Sequence, residues 1–268
     1  MATIKDTALC IRHWDWSETS QTVSLFTRSH GIIRGIAKGS KREKGPFSGG
    51  LELLTLGQVI AITKASSSLA TITTWDLRDA YPVARRSLRA FFVGSYLMDL
   101  IHHALTDHDP HPTLFANIAN ACTCLATSPD AALLIGQWAV LVETGYRPEI
   151  CQDVQTGEPL TPDAALTFAP RLGGVTIIPP AHLHTGQITG WRVRYQTIEL
   201  LQMLDAVLIH TTRKNAKQNQ SEQIPARFPP DAIARAGRLL GSYLRQVLGR
   251  DLPTMQPVFG ENGLASHR

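Results

Sequence analysis

The sequence of 268 residues is poor in cysteine: its four, Cys10, Cys122, Cys124 and Cys151, contain no CxxC pair. That excludes a disulfide-framed fold, and a reducing compartment would keep all four as thiols. No apolar run approaches the roughly twenty residues needed to cross a bilayer, and the opening MATIKDTALC lacks a signal peptide's apolar core, so a cytosolic protein without membrane attachment is expected. Charge of one sign is also scarce. Lys and Arg number 26 against 22 Asp and Glu, a net charge of +4, so only the distribution of charge can argue for a polyanionic partner. The motifs GxxxxGK[ST], GxSxG, HExxH and GxGxxG are all missing, and the nearby carboxylates Asp107 and Asp109 sit in a Pro-containing stretch as turn residues. No enzymatic activity and no cofactor are expected.

Apolar residues make up 43% of the chain and charged ones 18%, enough for one large or two small folded domains. The most informative stretch runs from Ser17 to Leu56. There Arg34, Lys38, Lys41, Arg42 and Lys44 face a single acid, Glu43, and Gly31, Gly35, Gly39, Gly45, Gly49 and Gly50 interrupt the span. The charges are therefore expected on a bent strand and a mobile loop rather than on a helix. Two readings follow: a basic loop that meets phosphates, or a lysine-rich loop kept polar for solubility and to guard a sheet edge.

Residues from about Thr7 to Tyr81 read as five short strands, TALCIRHW, QTVSLFTR, GIIRGIAK, LGQVIAITK and LATITTWDL, rich in β-branched residues and separated by Gly and Ser clusters. Five strands in about eighty residues fit a small closed barrel, and periodicity leaves an OB-fold and an SH3-like barrel both open. Trp14, Trp16, Phe26 and Trp75 are aromatics of the kind that stack on bases. Phe26, in an alternating strand between Leu25 and Thr27, reads as core, and none of the four is counted as a site residue.

After Tyr81-Pro82 the period becomes helical: Leu88, Phe91, Phe92, Tyr96 and Leu100 recur three to four apart, which puts a domain boundary near residue 80. Arg85, Arg86 and Arg89 open this helix, on a face suited to DNA or simply to solvent. Helices are predicted over 112–127 and 129–144, then over YQTIELLQMLDAVLIH from Tyr195, and finally from Pro230. RKNAKQNQSEQ reads as a polar link and TMQPVFGENGLASHR as a loosely held tail. His102, His103, His108 and His111 crowd one region, but the Asp-Pro turn in HHALTDHDPH scatters their rings, and no metal is assigned to them.

The string Glu18-Thr19-Ser20, Val23-Ser24-Leu25-Phe26-Thr27-Arg28, His30-Gly31, Ala37-Lys38-Gly39, Phe47 and Gly49-Gly50 resembles the N-terminal domain of the RecO family of DNA repair proteins. Two later segments resemble the same family: Gln137 to Pro148, a helix ending in Gly-Tyr-x-Pro, and LGSYLRQVLGRDL from Leu240 to Leu252. The resemblance is weakest between Cys151 and Trp191. It implies an α+β protein: a five-stranded OB-fold β-barrel over 1–80 that binds nucleic acid, a mainly helical domain over 81–252, and a flexible tail over 253–268.

In many members of this family the segment here spanning about 151–190 is a small module built around zinc with four cysteines. This chain offers only Cys151, His182 and His184 there. Asp153 and Thr156 stand near the expected first pair and Val175, Thr176 and Ile177 at the second, so an irregular insertion without metal is predicted. The function implied is a recombination mediator that binds single- and double-stranded DNA, anneals complementary strands, and with RecR assists loading of RecA onto strands coated by single-stranded-DNA-binding protein. Arg34, Lys38, Lys41, Arg42 and Lys44 are the candidate DNA-binding residues. The alternative is an adaptor that binds single-stranded-DNA-binding protein, with DNA binding incidental.

Overall fold

The computed structural model describes residues 1–42, 46–48, 51–177, 190–213, 227–261 and 263–264. The chain divides into two compact units, residues 1–132 and 133–268.

The first unit opens with six strands: β1 (Ala2–Asp15), β2 (Gln21–Thr27), β3 (Gly31–Ala37), β4 (Phe47–Ser48), β5 (Thr55–Thr63) and β6 (Ala70–Asp79). β1 is antiparallel to β2 and to β5, β2 to β3, and β5 to β6. A short parallel pairing of Gly35, Ile36 and Ala37 with Ala70, Thr71 and Ile72 closes β3 onto β6. Five principal strands closed in this order make the OB-fold barrel. β4 adds only two residues, parallel to β6 at Trp75 and Asp76. β1 starts five residues before the predicted strand because Ala2–Lys5 pair with Ile60–Thr63, a long-range partner that local pattern does not reveal.

Alternation decides which side chains fill the barrel. Ala8, Cys10, Val23, Leu25, Ile33, Ala37, Val59, Ala61, Ile72 and Trp75 point inward and are buried. Gly35 belongs to the closure: a Cβ there would stand 2.8 Å from the Ala70 carbonyl oxygen and 2.7 Å from the Ile72 side chain, so any other residue would prise β3 from β6.

The change from strand to helix falls between Asp79 and Pro82, yet the first compact unit continues through α1 (Pro82–Arg86), α2 (Leu88–Ala104) and α3 (Pro112–Cys124). Ser87 caps α2 by accepting the Ala90 amide at 3.3 Å. These helices stay with the barrel because part of its outer face is apolar: Phe26, outward on β2, lies 5.5 Å from the Phe115 ring of α3. A boundary drawn from periodicity marks where the strands end; it does not mark where packing ends.

α4 (Pro129–Glu143) leads into the second unit and stops before Gly145, whose φ of 80° is left-handed. Within 133–268 follow β7 (Leu166–Ala169), β8 (Gly174–Ile177), β9 (Trp191–Val193), α5 (Tyr195–Arg213), α6 (Pro230–Leu248) and α7 (Met255–Phe259). The three strands form an antiparallel sheet in the order β8-β7-β9, with Phe168 of β7 stacked on Trp191 of β9. Within the described residues of the segment read as irregular, β7 and β8 are regular strands. Strands of three or four residues are too short to show a period, and the partner strand β9 lies beyond that segment. Within the segment read as a loose tail, residues 255–259 form α7, with Met255 and Val258, three apart, buried. The polar link RKNAKQNQSEQ lies outside the described residues except for Arg213.

Trp138 of α4 is fully buried, and its indole N–H donates to Asp205 of α5 at 3.0 Å. Arg147 pairs with the other oxygen of that carboxylate, so the aspartate is satisfied from both sides.

Candidate nucleic-acid interface

The five predicted site residues do not present five free charges. Arg34 stands on the outer face of β3, and its Nε lies 3.0 Å from Oδ2 of Asp107. The loop after α2 runs along β3: Ile32 bridges to Asp107, and the His108 amide donates to the Ile32 carbonyl at 3.1 Å. Gly31 allows this approach, because a Cβ there would overlap the Asp109 backbone at 2.3 Å. Lys41 Nζ lies 2.6 Å from Oδ1 of Asp15, at the end of β1. Sequence reading counted only Glu43 against the basic run; the two other acids come from 26 residues upstream and 73 residues downstream of their partners and leave no local signal. Lys38 and Arg42 are exposed, with no acidic partner among the described residues. Lys44 lies outside the described residues.

The outer face of β1, β2 and β3 grades from covered to open. Register places Leu9, Phe26 and Ile32 in one row, and all three are fully buried. Beyond the bulge between Cys10 and Arg12, the next row is Arg12, Ser24 and Arg34, and the last is Trp14, Thr22 and Ile36. β5 pairs with β1 only as far as Cys10, so Trp14 sits on the part of β1 that continues past it. Trp14 is 48% exposed and Trp16 63% exposed, whereas Phe26 and Trp75 are buried in packing.

The Arg12 guanidinium stands over the Trp14 ring, 5.8 Å from its centre, and donates from Nη2 to Asp99 of α2 at 2.8 Å. Arg12 was missed by the sequence reading. The one available signal was the period-two alternation of Arg12, Trp14 and Trp16.

Two of the three arginines that open the helices are engaged elsewhere. Arg85 donates to the carbonyls of Ala80 and Leu53, and Arg89 pairs with Asp130. The histidine-rich region is likewise parcelled out. His103 lies 3.4 Å from Asp99 and His111 3.2 Å from Asp109, while His102 packs edge-on against His103. Burial, then the positive fields of Arg12, His103 and Arg34, push the His102 pKa down to about 4 against the opposing pull of Asp99.

The described part of the insertion does not fit a four-ligand zinc site. Cys151 is exposed and alone, and burial raises its thiol pKa, the reverse of what a thiolate ligand needs. The Asp153 carboxylate is taken up by the amides of Gln155, Thr156 and Ile177 and by the Thr176 hydroxyl. His182 and His184 lie outside the described residues. Among the described residues no three His, Cys, Asp or Glu side chains gather as a metal site.

The second unit contains a groove of about 250 Å³ between β9 and α6, floored by Trp191, Val193 and Leu239 and edged by Arg192, Arg194 and Arg238. Arg235 also lines it; one Nη donates to Gln196 at 3.1 Å, and its Nε has no partner among the described residues.

Family models for recombination protein O match nearly the whole chain, the N-terminal model over residues 1–81 and the C-terminal model over 85–256. The chain belongs to the recombination protein O family. Among curated relatives, the DNA repair protein RecO of Rhodopirellula baltica is 39% identical over 108 residues, 40% of this chain and 40% of its own. That of Anaeromyxobacter sp. is 28% identical over 179 residues, 66% of this chain and 70% of the relative. That of Azoarcus sp. is 30% identical over 155 residues, 57% and 62% respectively. The chain thus matches from two fifths to seven tenths of the length of these relatives. The recombination protein O models meet where β6 gives way to α1. No helix among the described residues is long and apolar enough to cross a membrane.

Proposed function

We propose that this protein is a DNA-binding recombination mediator in DNA repair, acting in the cytosol as a binding protein rather than an enzyme. Its barrel, residues 1–80, binds single- and double-stranded DNA and anneals complementary strands. With RecR, the protein, whose helical part spans residues 81–252, assists RecA loading onto strands coated by single-stranded-DNA-binding protein. The observation that carries the DNA reading is the open end of the β1–β2–β3 face, where exposed Lys38 and Arg42 stand beside Lys41 without acidic partners of their own among the described residues.

Annealing requires that repulsion between two polyanions be reduced while base edges stay free to pair. Contacts made mostly to phosphate do that, because each neutralised phosphate releases condensed counterions and carries no sequence information. Lys38, Lys41, Arg42 and Lys44 are the groups for this role. Arg34 and Lys41, already paired with Asp107 and Asp15, contribute less than Lys38 and Arg42. Filter binding and strand annealing by the purified protein alone, on labelled single strands, test the reading; retention with accelerated annealing is expected.

A second reading, an adaptor with incidental DNA binding, is favoured by the groove of the second unit. An apolar floor rimmed by Arg192, Arg194 and Arg238 suits an acidic peptide ending in an aromatic residue, such as the tail of single-stranded-DNA-binding protein. Negligible retention of DNA alongside tight binding of that peptide would favour the adaptor.

A further inference from the structure

The barrel leaves one indole half uncovered on an outer β1–β2–β3 face whose first row is packed away. Trp14 is 48% exposed, while Leu9, Phe26 and Ile32 on the same face are buried. Its surroundings are also unlike those of an incidental surface residue. The Arg12 guanidinium lies 5.8 Å from the ring centre, and Arg12 is itself fixed by a 2.8 Å bond to Asp99, a nearly buried carboxylate on α2. The cation behind the indole is therefore held by the fold rather than free to swing into solvent. An aromatic ring backed by an immobilised cation, with about half of its surface open to water, offers a pre-positioned π surface.

Charge near this ring favours a polyanionic partner. Trp14 shares its row with Thr22 and Ile36, so it and Ile36 lie about 10 Å apart across two strand spacings. Lys38 follows two residues beyond Ile36 at the same end of the face, and Lys41 is anchored to Asp15, the neighbour of Trp14. A ligand seated here meets a flat aromatic surface at one edge of the row and basic residues at the same end of the face, the pairing that stacked bases on a phosphate chain satisfy.

From this arrangement we infer that Trp14, backed by Arg12, is a stacking platform for an unpaired base of single-stranded nucleic acid, with Lys38 and Arg42 meeting phosphates of the same strand. The inference rests on the DNA-binding reading above and adds to it the place where a base is received. Every base has a π face, so the platform is indifferent to sequence. A duplex keeps its bases stacked on one another, so duplex affinity does not draw on Trp14.

The test uses the full chain, wild type, W14A and W14F, with three labelled probes: an oligothymidylate, an abasic strand of equal length and backbone charge, and a duplex. Anisotropy titrations should show wild type binding oligothymidylate about 5- to 100-fold more tightly than the abasic strand. W14A should bind both equally, W14F should keep part of the preference, and duplex affinity should stay unchanged in all three. Equal wild-type affinity for the two single strands, or a preference that survives W14A, overturns the inference while leaving phosphate binding intact. Failure to bind any of the three probes overturns the DNA-binding reading and this inference with it. Should W14A fail to fold, quenching of wild-type tryptophan fluorescence decides: it is expected with oligothymidylate and not with the abasic strand, and equal quenching by both overturns the platform.

Discussion

The hydroxyl of Thr176 on β8 donates to the carboxylate of Asp153, lying 3.2 and 3.1 Å from its two oxygens, and so ties the turn after Cys151 to the small sheet of the second unit. The amides of Gln155 and Ile177, each at 2.7 Å, and of Thr156 at 3.2 Å complete the set. Asp153 and Thr176 stand near the positions where the family resemblance expects zinc cysteines, and here one buried carboxylate joins the same two stretches. Burial alone would raise the Asp153 pKa, but the amides of Ile177, Gln155 and Thr156 and the Thr176 hydroxyl outweigh it and leave the pKa below the ordinary value.

Replacing Asp153 by Ala should therefore destabilise the protein by about 2–4 kcal/mol, because several buried donors lose a charged acceptor at once. The native pKa is the lower one, so this contribution is fully present above the ordinary aspartate range and is lost as pH falls through the native value. Urea unfolding of wild type and D153A at pH 7 and below pH 4 should show the gap between them closing in acid. A gap independent of pH would mean that packing, not the carboxylate, holds the knot.

The insertion should need no metal. Protein isolated by gentle means should carry well under one zinc per chain, and its unfolding temperature should be unmoved by a chelator. Elemental analysis at one zinc per chain, with chelator-induced unfolding, would reverse this.

Salt dependence should separate free from compensated cations. At about −0.7 per phosphate contact on single strands, K38A/R42A should flatten the log–log slope by roughly 1.4, whereas R34A should change it little. The quadruple variant K38A/K41A/R42A/K44A should flatten it further and slow annealing while remaining folded, since exposed loop charges contribute little stability. Unchanged slopes in both multiple variants would return this segment to a solubilising role.

His102 should make the protein acid-sensitive in a higher window than Asp153. Its folded-state pKa lies near 4, below the ordinary 6.5, so the unfolded chain takes up a proton first as pH falls. The stabilisation is complete above about 6.5 and disappears on the way down to about 4. H102Q should flatten the stability profile across that interval and leave the profile below it unaltered. Denaturant titrations at pH 7, 5.5 and 4 check this.

How much was readable in advance can be traced residue by residue. Alternation in QTVSLFT and GIIRGIA, and three-to-four spacing from Leu88 to Leu100, fix strand and helix by local sterics and by which side must be dry, so sequence alone determined the five principal strands and the long helices. The ordered string from Glu18 to Gly50 carried the family. Sequence also placed the basic residues, since adjacent positions need no fold to be neighbours.

Their electrostatic state needed one. Asp107 neutralises Arg34 only because the loop after α2 runs along β3, and Asp15 reaches Lys41 only because β1 and β3 flank β2. The same holds for Arg12 over Trp14 and for Asp153 with Thr176, pairs whose energies depend on distance and burial. Those quantities follow from long-range strand register and helix packing, which no local pattern encodes. Tertiary structure therefore decided which cations are compensated and which aromatic rings are open.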